Sequence, residues 1–300
     1  MTEGQGTGAQ DCWAIIVHGG ATEVPPEKQA ASRAGVLAAL SAGHRVLAGG
    51  GSALDAVEAA IRVLEDDPTF NAGYGSALNA DGKVEMDAAL MDGQTLEVGA
   101  VAGLPGVRHP VSVARRLLRE PEILLIGPGA HRFATERGAE LCNPDEMIAP
   151  EQRAAFESHD TVGCVALDGQ GHLVAGVSTG GLSGQRVGRV GDSPQPGCGF
   201  YAEDGVGAVA LTGEGESIAR MMVAARFMHR LPQQAPEDAL REVLEAMRTR
   251  VGGTAGGIAL TPGGQIGWWH NSPHMPVAYL HAGLERPHVY LQKTEEHHGG

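Results

Sequence analysis

The chain has 300 residues, enough for one large domain or two small ones around a shared core. Its 36 acidic side chains outnumber 22 basic ones, for a net charge of −14. No Lys/Arg run reverses that balance locally, which excludes nucleic acid and anionic membrane surfaces as expected partners.

The start, MTEGQGTGAQDCWAIIVHGG, holds one short apolar run, WAIIV, without a basic flank. It reads as a buried strand rather than a secretory signal or membrane span, so a cytoplasmic protein is expected. HGGA after it reads as a loop. Helices are expected over 27–48 and 52–66. In the second, Ser52 and Asp55 resemble a capping box, Leu54, Val57, Ile61 and Leu64 keep helical spacing, and Pro68 stops it. In LNADGKVEMDAALMDGQTLEVGAVAGL, Asp-Gly pairs separate β-prone runs and predict antiparallel hairpins. A helix near 110–119, the strand EILLIG and a helix near 128–138 follow. Residues 139–158, rich in charge and interrupted by proline, read as a loop or linker.

The second half offers TVGCVAL, the turn DGQG, HLVAGVSTGG, a Gly-rich connection and GVGAVALTG. Helices near 215–230 and 236–250, the hairpin GIALTPGGQIGWW and the strand HVYLQK complete it. Strands and helices thus come in antiparallel pairs, and a sheet-on-sheet centre under helix layers is expected. Cys12, Cys142, Cys164 and Cys198 have no C-x-x-C spacing and read as reduced structural thiols. There is no G-x-S-x-G elbow, and GPGAHR and TGEGES lack the ending of a phosphate loop. Pro273 between His270 and His274 argues against a shared helical face for zinc.

What remains is a concentration of Thr161, Thr179, Arg189, Asp192, Thr212 and glycines. Thr161 begins a strand and Thr179 ends its hairpin partner, so counting outward from the turn brings both to the open end. In GRVGDSP, Arg189 could grip a carboxylate and Asp192 an ammonium, together a clamp for an α-amino acid head; equally, the two could pair with each other across a turn. In TGEGES, backbone N–H groups and the Thr212 hydroxyl would suit a developing oxyanion, although a plain strand-to-helix turn would look the same.

HDTVG, STGG, GRVGDSP and TGEGE, in that order over 159–216, resemble the motifs of the plant-type asparaginase and isoaspartyl peptidase family of N-terminal nucleophile hydrolases. VHGGA and FNAGYGSALNADGKVEMDAALMDG are similar to that family too, and the resemblance thins after about residue 250. It implies an α+β fold, a four-layer αββα sandwich. It also implies a precursor that cuts itself between Asp160 and Thr161 into an α portion, 1–160, and a β portion, 161–300, together one folded domain. The cut frees the Thr161 α-amine, whose reference pKa of about 7.7–8.0 makes it a usable base beside its own hydroxyl.

The activity so implied is hydrolysis of L-asparagine to L-aspartate and ammonia, and cleavage of isoaspartyl dipeptides. By the same resemblance Thr161 is the nucleophile, Thr179 the second threonine beside it, Asn71 the asparagine that orients it, and Thr212 with Gly213 the oxyanion stabilisers. Arg189, Asp192, Gly213 and Gly215 would bind a small amino acid or dipeptide. No cofactor is required for catalysis, while main-chain carbonyls of Leu64, Glu65, Asp67, Phe70, Ala72 and Tyr74 resemble a loop that wraps a structural sodium ion. A dimer of αβ heterodimers is the implied assembly. Ser183 and Gln185 stand where relatives commonly carry threonine and lysine. A glycosylasparaginase-like amidase, which shares the HDT lead-in, and a non-cleaving amino-acid-binding relative are the other readings open.

Overall fold

The computed structural model describes residues 12–150 and 161–296. In chain order its regular elements are β1 (Ala14–His18), α1 (Pro26–Ala48), α2 (Ala53–Asp66), β2 (Met86–Asp92), β3 (Val98–Leu104), α3 (Pro110–Leu117), β4 (Leu124–Ile126) and α4 (Gly127–Glu136). Then come β5 (Thr161–Leu167), β6 (Leu173–Thr179), β7 (Phe200–Glu203), β8 (Gly207–Gly213), α5 (Gly215–Met221), α6 (Val223–Arg230), α7 (Pro236–Val251), β9 (Ala255–Leu260), β10 (Ile266–His270), β11 (Val277–His281), β12 (His288–Tyr290) and α8 (Lys293–Glu296). The strands form an eight-stranded sheet, β12-β11-β1-β5-β6-β2-β3-β4, and a four-stranded sheet, β10-β9-β8-β7.

Period-two alternation tells which way each side chain faces. In β5, Val162, Cys164 and Ala166 pack with α1 and α2, whereas Val165 and Leu167 join the cluster that fills the space between the sheets. β6 alternates likewise, with Val174 toward the helices and Leu173, Ala175 and Val177 toward the other sheet. In β8, Ala208 and Ala210 look between the sheets, while Val209 and Leu211 pack under α5, α6 and α7. All seven residues of β5 are buried, as a strand covered on both faces must be. The chain is therefore a mixed α and β protein with two facing sheets. Among the described residues, no helix is long and apolar enough to cross a membrane.

Several elements depart from the sequence-based expectation. The helix expected over 215–230 is broken at Met222, a left-handed residue at φ 48 and ψ 55. The break turns the first N–H groups of α6 toward loop carbonyls, Ala224 N–H donating to Cys198 O and Ala225 N–H to Gly197 O. β4 pairs parallel to β3, with α3 as the crossover, so not every neighbouring pair is antiparallel. Of the two Asp-Gly turns, the one at Asp92 joins β2 to β3, but Asp81-Gly82 closes only an isolated bridge between Leu78 and Val84. A short strand, β7, lies inside the Gly-rich connection. β11 comes from HNSPHMPVAY and pairs directly with β1, because the alternation of VAYLH suits a strand beside a buried neighbour. Within the expected linker, Pro144–Met147 forms a 3-10 turn that buries Met147, and 151–160 lie outside the described residues.

Glu65, in the last turn of α2, is fully buried. Its Oε1 accepts from Ser178 Oγ at 2.7 Å and from Val111 N–H at 2.9 Å, while Oε2 has no partner among the described residues. Burial pushes its pKa up to about 8, against the opposing pull of those donors and of Arg62. The folded state thus keeps a proton that the unfolded chain has released. This stabilisation is complete below the ordinary value of 4.5 and is lost as pH rises through about 8. Glu65→Gln keeps an oxygen for both donors and has no charge to bury. Its melting temperature relative to the unsubstituted protein should therefore climb from pH 5 to about pH 8 and level off above, in a calorimetric series, by about 2–4 °C for each kcal/mol recovered. A gap that stays constant over that range would show that Glu65 ionises without cost.

Candidate active site

The alternation that builds the core also aims a set of polar side chains into the space between the sheets at one end. His18 of β1, Asp87 of β2, Thr161 of β5, Thr179 of β6 and Thr212 of β8 each continue the inter-sheet row of their strand, and all five are buried. Thr161 and Thr179 are direct cross-strand partners, and Asp87 stands opposite Thr179 on its other side. The hairpin count made on the sequence thus agrees with the register.

Thr161 is 6% exposed. Its N–H donates to Thr212 Oγ1 at 3.3 Å, and its Oγ1 lies 3.1 Å from Ser193 Oγ. Both contacts are to hydroxyls, which are not bases near neutral pH. Thr212 Oγ1 also accepts from Ala21 N–H at 3.2 Å, so the segment after β1 is tied to the same oxygen. Gly213 follows at φ 129, and a Cβ there would lie 2.4 Å from Thr254 O. Only glycine fits that position.

Ser193 was not singled out on the sequence, although it directly follows Asp192 in GRVGDSP; its closeness to Thr161 is visible only in three dimensions. His18 was also passed over, as part of an expected loop. Its neighbour across the ladder is Gly163, where a Cβ would sit 2.3 Å from the ring Nε2. Burial pushes the His18 pKa down to about 3, with the Thr161 backbone pulling the other way, so the ring is neutral.

Asn71 is 2% exposed, and its side chain spans the loop after β6: Nδ2 donates to Gly181 O at 2.6 Å and Oδ1 accepts from Ala77 N–H at 2.7 Å. Its own carbonyl accepts from Gly180 N–H. Asn71 therefore braces the segment that leaves Thr179.

Arg189 and Asp192 do face one cavity, but they do not form the mutual pair that their spacing allowed. Arg189 forks onto Glu216, Nε to Oε1 and Nη2 to Oε2, each at 2.9 Å. Its Nη1 also reaches Gln185 Oε1 at 3.4 Å. Asp192 is 3% exposed, and its Oδ2 has no hydrogen-bond partner among the described residues. Burial pushes Asp192 up to about 7, with Arg189 pulling it down and Glu216 pushing it up. Asp87 is raised to about 7 by burial too, while its Oδ1 accepts from Gly103 N–H at 2.8 Å. A Cβ on Gly215 would lie 2.7 Å from Asp192 Oδ1 and 3.0 Å from Arg189 Nη2, so glycine leaves that approach open.

Thr161, Thr179, Arg189, Asp192, Ser193, Gly213 and Gly215 line one cavity of about 10 Å³, room for a single water. A larger one of about 430 Å³ adjoins it, shares Leu182 and Gly213, and carries Glu23, Glu214 and Glu216. Such an arrangement can present a hydroxyl nucleophile beside a cation and a buried carboxylate.

In the loop after α2, carbonyls converge on glycine. A Cβ on Gly73 would meet Glu65 O at 2.2 Å, and one on Gly75 would meet Phe70 O at 2.0 Å and Pro68 O at 3.0 Å. Phe70 O also accepts from Ala72 N–H at 3.0 Å, and Ala72 O from Gly75 N–H at 3.1 Å. Among the described residues, no group of three or more His, Cys, Asp or Glu side chains is placed to hold a metal ion.

A family model described as asparaginase matches residues 11–159 and 150–289. The chain is 37% identical over 300 residues to an isoaspartyl peptidase/L-asparaginase of Rattus norvegicus, covering 94% of this chain and 90% of the relative. It is 40% identical over 266 residues to the protein of that name in Xenopus laevis, covering 83% and 86% respectively. With a plant-type L-asparaginase of Pyrococcus horikoshii it shares 40% over 302 residues, covering 91% and 98%.

Proposed function

The chain belongs to the asparaginase family, and from that premise we propose that it is a self-cleaving threonine amidohydrolase. Its substrates are L-asparagine, converted to L-aspartate and ammonia, and isoaspartyl dipeptides. The observation that supports it best is the environment of Thr161: a buried hydroxyl in one cavity with Arg189 and Asp192, whose contacts among the described residues are to hydroxyls and not to a base. Cutting between Asp160 and Thr161 turns the Thr161 nitrogen from an amide into an amine, which supplies that base. Asp160 itself lies outside the described residues.

In the self-cleavage, Thr161 Oγ1 attacks the Asp160 carbonyl carbon, the C–N bond breaks as the nitrogen gains a proton, and water hydrolyses the resulting ester. During turnover the freed amine takes the Oγ1 proton as Oγ1 attacks the substrate's side-chain amide and returns it to the departing ammonia or amino acid; water then hydrolyses the β-aspartyl ester on Oγ1, freeing L-aspartate and restoring the hydroxyl. Thr212 and Gly213 stabilise the oxyanion, Thr179 flanks the nucleophile, and Asn71 acts through the Gly181 loop. Arg189 holds the substrate carboxylate and Asp192 its ammonium, with Gly215 leaving room between them. The α portion is 1–160 and the β portion 161–300. We read the layers as a four-layer αββα sandwich and the assembly as a cytoplasmic dimer of αβ pairs. Intact mass spectrometry of purified protein, looking for a new terminus at Thr161, together with an ammonia assay on L-asparagine, tests this reading. A full-length mass alongside undiminished hydrolysis would exclude it.

Nothing in this chemistry asks for a cofactor. The loop carbonyls of Leu64, Glu65, Asp67, Phe70, Ala72 and Tyr74 are read as the wrapping of a structural sodium ion, supported by the crowding of carbonyl oxygens on Gly73 and Gly75. Sodium should raise the melting temperature above that in choline chloride of equal ionic strength, by about 2–4 °C per kcal/mol of binding. Identical melting curves in the two salts would remove the ion from the account.

A further inference from the structure

The fork between Arg189 and Glu216 poses a question that the functional reading leaves open, since the guanidinium assigned to the substrate carboxylate already holds a carboxylate of the protein. We propose that Glu216 is a positioning residue, which fixes Arg189 by one edge of its guanidinium so that the other edge is presented to the substrate. The inference rests on the functional reading above and specifies how that site obtains its affinity.

A guanidinium has five N–H donors. Glu216 takes the side-on pair, from Nε and Nη2, with equal distances of 2.9 Å. Gln185 takes one from Nη1 at 3.4 Å. One N–H on each of Nη1 and Nη2 is then left, the pair that grips a second carboxylate end-on. Cavity walls agree with this division. Arg189 lines the small cavity with Thr161 but not the larger one, and Glu216 lines the larger cavity but not the small one. Glu216 therefore meets Arg189 from outside the cavity that Arg189 shares with the nucleophile.

Exposure differs in the same sense. The Arg189 side chain is 15% exposed and that of Glu216 61%. A flexible arginine costs rotamer entropy to hold still, and a bidentate partner at its solvent side meets that cost before the substrate arrives. A water-exposed ion pair contributes little to global stability, so the benefit would fall on binding rather than on folding. Gly191 and Gly215 keep the guanidinium plane free of side chains at its inner rim, a Cβ on Gly191 falling 3.0 Å from Nη1 and one on Gly215 3.0 Å from Nη2.

The test is a double-mutant cycle with three readouts: KM and kcat for L-asparagine, calorimetric affinity for L-aspartate, and the rate at which the terminus at Thr161 forms. Glu216→Ala should raise KM by about 10-fold with kcat changed less than about twofold, weaken L-aspartate equally, and leave terminus formation unchanged. Glu216→Gln keeps the shape and should fall between. Arg189→Ala combined with Glu216→Ala should be no worse than Arg189→Ala alone, because Glu216 acts only through that side chain. A lower KM in Glu216→Ala would mean that Glu216 competes with the substrate, and additive losses or slowed terminus formation would mean a general structural role; each overturns the proposal. If the unsubstituted protein neither releases ammonia nor binds L-aspartate, the functional reading itself falls. Otherwise the Glu216 variants alone decide.

Discussion

Thr161→Ala should stay a single full-length chain and lose hydrolysis of L-asparagine by about 10⁴-fold or more, the scale on which removing a covalent nucleophile acts. Two functions disappear with one oxygen: attack on the upstream carbonyl, which would free the amine, and attack on the substrate, which needs that amine. Folding should survive, because the backbone ladder with Thr179 does not depend on the hydroxyl, whose contact among the described residues is Ser193 Oγ. Thr161→Ser, which retains oxygen and nitrogen, should recover both reactions at reduced rate. Denaturing gels over several days at neutral pH, paired with ammonia release, measure the two arms together. Cleavage in the alanine variant would place the nucleophile elsewhere.

The second large effect is expected from Arg189→Ala. A hydrogen-bonded charge contributes about 1.5–3 kcal/mol to a buried carboxylate contact, equivalent to roughly 10- to 100-fold in affinity. That loss should appear in KM for L-asparagine and for isoaspartyl dipeptides, with a much smaller change in self-cleavage, which recognises no free carboxylate. The Glu216 carboxylate left behind is mostly hydrated, so its loss of partner should cost little stability. Steady-state kinetics beside a time course of terminus formation separates the effects. Equal damage to both would make Arg189 a folding residue.

Much of the fold could be read from local signals. The Ser52 cap, whose Oγ accepts from Asp55 N–H, and the helical spacing of Leu54, Val57, Ile61 and Leu64 specify α2 without help from distant residues. The Thr161 and Thr179 pairing follows from a tight turn and a period of two. By contrast, the sequence offered Arg189 either a ligand carboxylate or its neighbour Asp192, and its actual partner, Glu216, lies in α5, beyond β7 and β8 in the chain. Ser193 gave no signal because one hydroxyl among many has no pattern. The break at Met222 was hidden too, since α5 and α6 share helical periodicity and only the carbonyls of Gly197 and Cys198 reveal why the chain turns there. β11 was missed because a Pro- and His-rich approach masks a short apolar strand whose place beside β1 is decided by the sheet.

The strand order has one more effect on a severed chain. β1 lies between β11 and β5, and β2 bonds to β6, so strands from before and after residue 160 alternate in the larger sheet. Neither fragment can leave without unzipping three ladders and stripping the other of its lining. Scission would be a nick in a woven cloth, and the halves, made separately, should need to refold in each other's presence.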